Sequence, residues 1–245
     1  MAALSAVAEV WAVHLDVGDG VVSALRRCLS GSESLRADRF LHPRDRRRHV
    51  VSHGALRAIL AKRLGIEPQG VRFAAGDHGK PALADDRGTR LEFNLAHSGE
   101  LALCVLAVGV RVGVDLEALR EVPDAEAILR GSFAPLEVDD WLQVPAERRQ
   151  EAFLRLWTCK EAWLKACGRG LSLPIDRSDI RVSGDAAWFR SLDGSTAEAG
   201  RWCLQLLRPA EGYVGAVCAE ATALDLRVRE WVGASQAHAW PDVTG

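Results

Sequence analysis

"CKEAWLKACG", residues 159–168, falls on "LRAILAKRLG", residues 56–65, when Gly168 is set against Gly65. Lys160 then stands on Arg57, and Lys165 on Lys62. A glycine closing each run is a helix stop, because it enters the left-handed region without a Cβ clash. Each helix follows a strand that carries an acid: "WAVHLDV" (11–17) before the first, "VGVDLEAL" (112–119) before the second. A supersecondary unit repeated in this way predicts two related α+β halves packed as a pseudo-dimer. One difference between the copies bears on metal binding: Ala58 stands where the second has Glu161. If carboxylates hold a metal, only the second half can do so.

The second strand, "RVGVDLEAL" (111–119), ends in two acids. Val112, Val114 and Leu116 point one way, and Asp115 and Glu117 share the other face, because strand side chains alternate. Two like charges on one face call for something positive between them. In the helix starting near Arg149, Phe153, Leu154, Trp157 and Leu164 form one apolar stripe at 100° per residue, and Lys160 and Glu161 lie inside the same arc. An ionised pair facing inward is expensive without counter-charges or a ligand. An i,i+4 salt bridge from Glu161 to Lys165 accounts for Lys165 but not for an inward Glu161. A cation held by Asp115, Glu117 and Glu161 accounts for all three acids. Hard oxygen ligands favour Mg²⁺, with Mn²⁺ as a substitute, and Mg²⁺ commonly takes substrate phosphates as further ligands.

Bulk properties are those of an ordinary globular chain: 245 residues, 48% apolar, 26% charged, net charge −2. Such a balance gives no global pull toward nucleic acid or an anionic membrane. No apolar run approaches the ~20 residues of a membrane span, and the N-terminus has no basic signal-peptide region. The six cysteines have no zinc-like spacing and read as reduced thiols of a cytoplasmic protein. Residues 36–63 are strongly basic, with Pro43 placed for a helix's first turn. Residues 91–119 read as strand, turn and hairpin, residues 121–150 as helix and loop, and residues 178–219 as further strands.

At this point the chain resembles the Sfp-type 4′-phosphopantetheinyl transferases. Their G-[IV]-D-[IVL]-E strand reads here Gly113-Val114-Asp115-Leu116-Glu117. Their F-x₃-W-[ST]-x-K-E-[AS]-x₂-K-x₂-G-x-G-L helix reads Phe153, Trp157, Lys160, Glu161, Lys165, Gly168, Gly170 and Leu171. "GKP" (79–81) and "FNLAHSG" (93–99) also match, the latter with Ala96 where the family has Ser or Thr. The resemblance implies a monomer of two similar α/β halves, pseudo-two-fold related, with coenzyme A in the cleft between them. It divides the chain into 1–109, contributing to CoA binding, and 110–232, with the metal and catalytic motifs; 233–245 is expected to be a flexible tail. The implied reaction moves the 4′-phosphopantetheine arm of CoA onto a serine of an apo acyl or peptidyl carrier protein and releases adenosine 3′,5′-bisphosphate. Asp115, Glu117 and Glu161 would be the Mg²⁺ ligands, and Lys165 would contact the transferred phosphate. His97, Lys80, Arg36, Arg48 and Lys160 would hold CoA. The base for the serine would be Glu161 or a metal-held water. Rival readings are an inactive CoA- or carrier-binding protein of the same fold and a Mg²⁺-dependent hydrolase of nucleotide pyrophosphates.

Overall fold

The computed structural model describes residues 5–76, 80–168 and 173–233. The chain follows one course twice. The first pass runs through β1 (Ser5–His14), α1 (Asp19–Cys28), α2 (Gly31–Asp38), the long α3 (Pro43–Leu64), a small hairpin of β2 (Phe73–Ala75) and β3 (Pro81–Leu83), then β4 (Leu91–Ser98) and β5 (Leu101–Val108). The second runs through β6 (Val112–Ala118), α4 (Ala125–Ser132), α5 (Pro135–Leu142), the long α6 (Arg149–Cys167), a hairpin of β7 (Ser178–Ser183) and β8 (Ala186–Leu192), one turn of α7 (Thr196–Ala199), then β9 (Cys203–Leu207) and β10 (Tyr213–Ala219). Strand order repeats as well: β1-β5-β4 in one sheet, β6-β10-β9 in the other, each antiparallel. Both long helices end where the repeat requires, on Gly65 (φ 65°) and Gly168 (φ 70°).

Alternation sorts the side chains into three cores. Trp11, Val13 and Leu15 follow one face of β1 onto α3, with Ala102, Cys104 and Leu106 of β5. Val214, Ala216 and Cys218 of β10 pack beneath α6. The opposite faces meet each other: Ala6, Ala8, Val10 and Ala12 against Val112, Val114, Leu116, Val217 and Ala219. The small alanines let the two sheets close on one another. No described helix is long and apolar enough to cross a membrane.

One strand departs from the expected division. β11 (Ala223–Trp231) pairs parallel to β1, so the last segment of the stretch assigned to the second half extends the first sheet. Its pattern, Leu224, Leu226 and Val228 alternating with Asp225, Arg227 and Arg229, is a strand signal that the sequence reading missed. Gly79, Gly170, Leu171 and the tail from 234 onward lie outside the described residues.

Two side-chain bridges decide where the site forms. β4 and β6 lie side by side in different sheets. The Val114 N–H donates to Asn94 Oδ1 at 3.1 Å, and the Ala118 N–H to Ser98 Oγ at 3.0 Å. These bonds join the first half's β4 to the second half's β6, the Ser98 bond at the acidic end of β6.

Candidate active site

Gly113 sets the depth of the site. A Cβ there would lie 2.2 Å from the Ala162 carbonyl oxygen and 2.4 Å from the Ala166 nitrogen, so only glycine lets α6 rest directly on β6. Two residues on, Asp115 therefore meets the helix that carries Glu161 and Lys165. Lys165 Nζ is 2.6 Å from Asp115 Oδ1. The positive group beside the paired acids is thus Lys165, bonded across elements rather than to Glu161 one turn away on its own helix. Asp115 is buried, and its Oδ2 finds no hydrogen-bond partner among the described residues. Burial drives the Asp115 carboxyl up to about 6; Lys165 opposes this, while Glu161 and Glu117 add to it. The Glu161 carboxyl is also raised, by burial first and by Glu117, again against Lys165. Glu117 accepts from Ser98 Oγ at 3.0 Å and lies 3.8 Å from Arg120 Nη2. Among the described residues no three His, Cys, Asp or Glu side chains converge closely enough to be a ready-made metal cluster. Lys165 stands within the acidic group instead.

The first half supplies the basic side. His97 is exposed on β4, held below the ordinary histidine value by partial desolvation and then by the charges of Lys165 and Arg48. Arg48 Nη2 donates to Glu100 at 2.7 Å. Arg36 is exposed in the last turn of α2, and its charge is felt at His49.

A family model described as "4'-phosphopantetheinyl transferase superfamily" matches residues 111–218, and one described as "4'-phosphopantetheinyl transferase, N-terminal" matches residues 19–109. The chain is 40% identical over 215 residues to 4′-phosphopantetheinyl transferase HetI of Nostoc sp., covering 87% of this chain and 88% of that one. This chain belongs to the 4′-phosphopantetheinyl transferase superfamily. It is also 28% identical over 181 residues to 4′-phosphopantetheinyl transferase Sfp of Bacillus subtilis, covering 74% of this chain and 77% of that one. The family is one of transferases that use coenzyme A as substrate and act on carrier proteins. Its two model matches meet between β5 and β6, where the first pass of the fold ends and the second begins.

Two lysines expected at the CoA site of this transferase are engaged by groups within the protein. Lys160 is completely buried: its ammonium lies 2.8 Å from Glu137 and donates to the carbonyls of Ser178 at 2.5 Å and Ile175 at 2.9 Å. It faces the core as its arc requires, but its counter-charge comes from α5, so no donor remains for a ligand. Lys80 donates to the Val112 carbonyl at 3.0 Å and lies 3.6 Å from Glu92. Val112 begins β6 and Glu117 nears its end, about 16 Å apart along a strand. Lys80 therefore sits at the foot of the sheets, away from His97. Sequence reasoning also passed over Asn94, Ser98, Glu100 and Tyr213. Asn94 and Ser98 stood inside a quoted motif, but nothing local shows that they bridge to β6.

Proposed function

We propose that this chain transfers the 4′-phosphopantetheine arm of coenzyme A to a serine hydroxyl of an apo acyl or peptidyl carrier protein, releasing adenosine 3′,5′-bisphosphate. The observation that carries the reading is Asp115: one oxygen is held by Lys165 and the other is buried without a donor among the described residues, beside two further carboxylates. A buried acceptor left unmatched costs about 1–3 kcal/mol, more when charged. A hard cation fits that donor set, so Asp115, Glu117 and Glu161 would hold Mg²⁺, or Mn²⁺ in its place. When bound, the ion would neutralise charge on the pyrophosphate of CoA.

The protein's own groups supply the rest. Lys165 exchanges Asp115 for the transferred phosphate as charge develops there. Glu161, its carboxyl raised by burial, takes the serine proton at a carboxylate oxygen. His97, Arg48 and Arg36 bind the CoA phosphates, His97 reading the 3′-phosphate. Residues 1–109 thus contribute CoA contacts and 110–232 the metal and catalytic groups. One chain carries both, and we propose that it acts as a cytoplasmic monomer. The test is mass spectrometry of apo carrier proteins incubated with the protein, CoA and Mg²⁺. A carrier should gain the mass of one phosphopantetheinyl group with wild type and none with Asp115→Ala. Hydrolysis of CoA with no carrier modified would overturn the reading.

A further inference from the structure

The arginines beside the proposed phosphate contacts already hold an anion. Glu100, in the turn between β4 and β5, lies three residues beyond His97. Its Oε1 accepts from Arg44 Nε at 2.9 Å, from Arg44 Nη2 at 2.5 Å and from Arg48 Nη2 at 2.7 Å. Its Oε2 accepts from Arg48 Nε at 3.4 Å. Each guanidinium therefore turns its Nε–Nη2 edge to one carboxylate. That edge, with two parallel N–H donors, is one with which arginine grips a phosphate in bidentate fashion. Arg48 Nη1 does not offer a clear substitute, since it lies 3.7 Å from Asp45.

The turn is anchored from the other half. The Glu100 N–H donates to the Tyr213 hydroxyl at 3.0 Å. Gly99, at φ +56°, makes room for that hydroxyl, since a Cβ there would fall 2.6 Å from it. With its backbone held, Glu100 can release the arginines by swinging its side chain alone. The exchange takes place at a solvent-facing rim, where the Arg44, Glu100 and Arg48 side chains are 68%, 40% and 20% exposed. Exposed ion pairs are weak enough for a dianion to displace.

We propose that Glu100 is a built-in competitor for the 3′-phosphate of coenzyme A, occupying Arg44 and Arg48 until that phosphomonoester displaces it. This rests on the assignment of Arg48 to the CoA phosphates, and adds Arg44 to the set. Glu100 thereby sets the strength of CoA binding and the preference for CoA over its 3′-dephospho form. A ligand lacking the 3′-phosphate has nothing to place on the two arginines and leaves the carboxylate where it is.

Calorimetric titration of wild type, Glu100→Gln and Arg48→Ala with CoA and with 3′-dephospho-CoA tests this. Glu100→Gln should bind CoA about three- to tenfold tighter and dephospho-CoA within about twofold of wild type. Arg48→Ala should weaken CoA. Glu100→Asp, which keeps the charge on a shorter arm, should fall between wild type and Glu100→Gln, and unchanged thermal unfolding should show each fold intact. Unchanged or weaker CoA binding by Glu100→Gln, with Arg48→Ala weakened, overturns the competitor and leaves the Arg48 assignment standing. An equal gain on both ligands overturns the assignment to the 3′-phosphate. If Arg48→Ala binds CoA like wild type, the Arg48 assignment fails and the proposal with it.

Discussion

The two halves share a buried cation and differ in what surrounds it. In the first, Arg57 Nε is 2.5 Å from Glu33, its Nη1 donates to the carbonyls of Pro68 and Val71 at 2.8 and 2.9 Å, and the Phe73 ring lies 5.1 Å from it. In the second, Lys160 meets Glu137, the carbonyls of Ile175 and Ser178, and the Phe133 ring at 4.9 Å. Glu33 and Glu137 also play one role, each accepting the backbone N–H at the start of its short helix, Ser30 or Ala134, at 2.8 Å. These two sites tie the long helix to the short helix before it and to the segment after it, so they belong to the scaffold. The strand faces beneath the helices do not match. β1 shows α3 an apolar face of Trp11, Val13 and Leu15, whereas β6 shows α6 Gly113, Asp115 and Glu117. Asp16, set against the second strand's acid from sequence, lies past the end of β1 and is exposed. The repeated scaffold carries its internal ion pair twice and the strand acids facing the long helix once.

The contrast breaks first at the acids. Asp115→Ala or Glu161→Ala should abolish measurable transfer while the fold survives, since each removes a proposed ligand. Near wild-type rates at low Mg²⁺ would sink the three-carboxylate site. Asp115 also makes a prediction in metal-free buffer. Its folded value of about 6 lies above the unfolded value of about 3.9. The folded state therefore holds this proton more tightly, and the group adds stability as pH falls from about 6 toward 4. Relative to Asp115→Asn, wild type should gain on the order of 2–3 kcal/mol of unfolding free energy across that window. A flat difference from pH 7 to pH 4 would show that burial does not perturb the carboxyl.

The shared cations come next. Lys160→Ala leaves Glu137 buried and unpaired, at a cost of about 3–5 kcal/mol, and Arg57→Ala should cost less because Glu33 is partly exposed. Both should lower the melting temperature and leave the KM for CoA unchanged in protein kept folded at low temperature. An unchanged melting temperature with a raised KM would return Lys160 to the CoA site.

His97 gives a smaller effect. A charge-assisted hydrogen bond to phosphate is worth about 1.5–3 kcal/mol. His97→Ala should therefore shrink the ratio of kcat/KM for CoA over 3′-dephospho-CoA by about tenfold, mainly through KM. Equal losses on the two substrates would make the histidine structural.

The smallest expected effect is none. Ala58→Glu places an acid on α3 where α6 has Glu161, but the strand beneath offers Val13 and Leu15 rather than carboxylates. Calorimetric metal titration with CoA present should still give one site, and a stoichiometry of two would show the halves to be more equivalent than their side chains suggest.

Much of the site could be read from local pattern. Alternation alone turns Asp115 and Glu117 away from Val112, Val114 and Leu116, and the structure keeps them so. Helical periodicity puts Lys160 in the core-facing arc of α6, and the two glycine stops bound both long helices. These features follow from the geometry of a few neighbouring residues, which the chain carries with it wherever it packs. The partners do not follow in the same way. Lys160 meets Glu137 from 23 positions earlier, and Lys80 meets Val112 from 32 positions away. The return of β11 to the first sheet is equally remote from any local signal. Periodicity fixes which way a side chain points; which group it reaches is decided by close approaches such as α6 on Gly113 and the Asn94 and Ser98 bridges. Those exist only once distant segments have met, because hydrogen bonds and ion pairs act over a few ångströms in space, however far apart the residues lie in sequence.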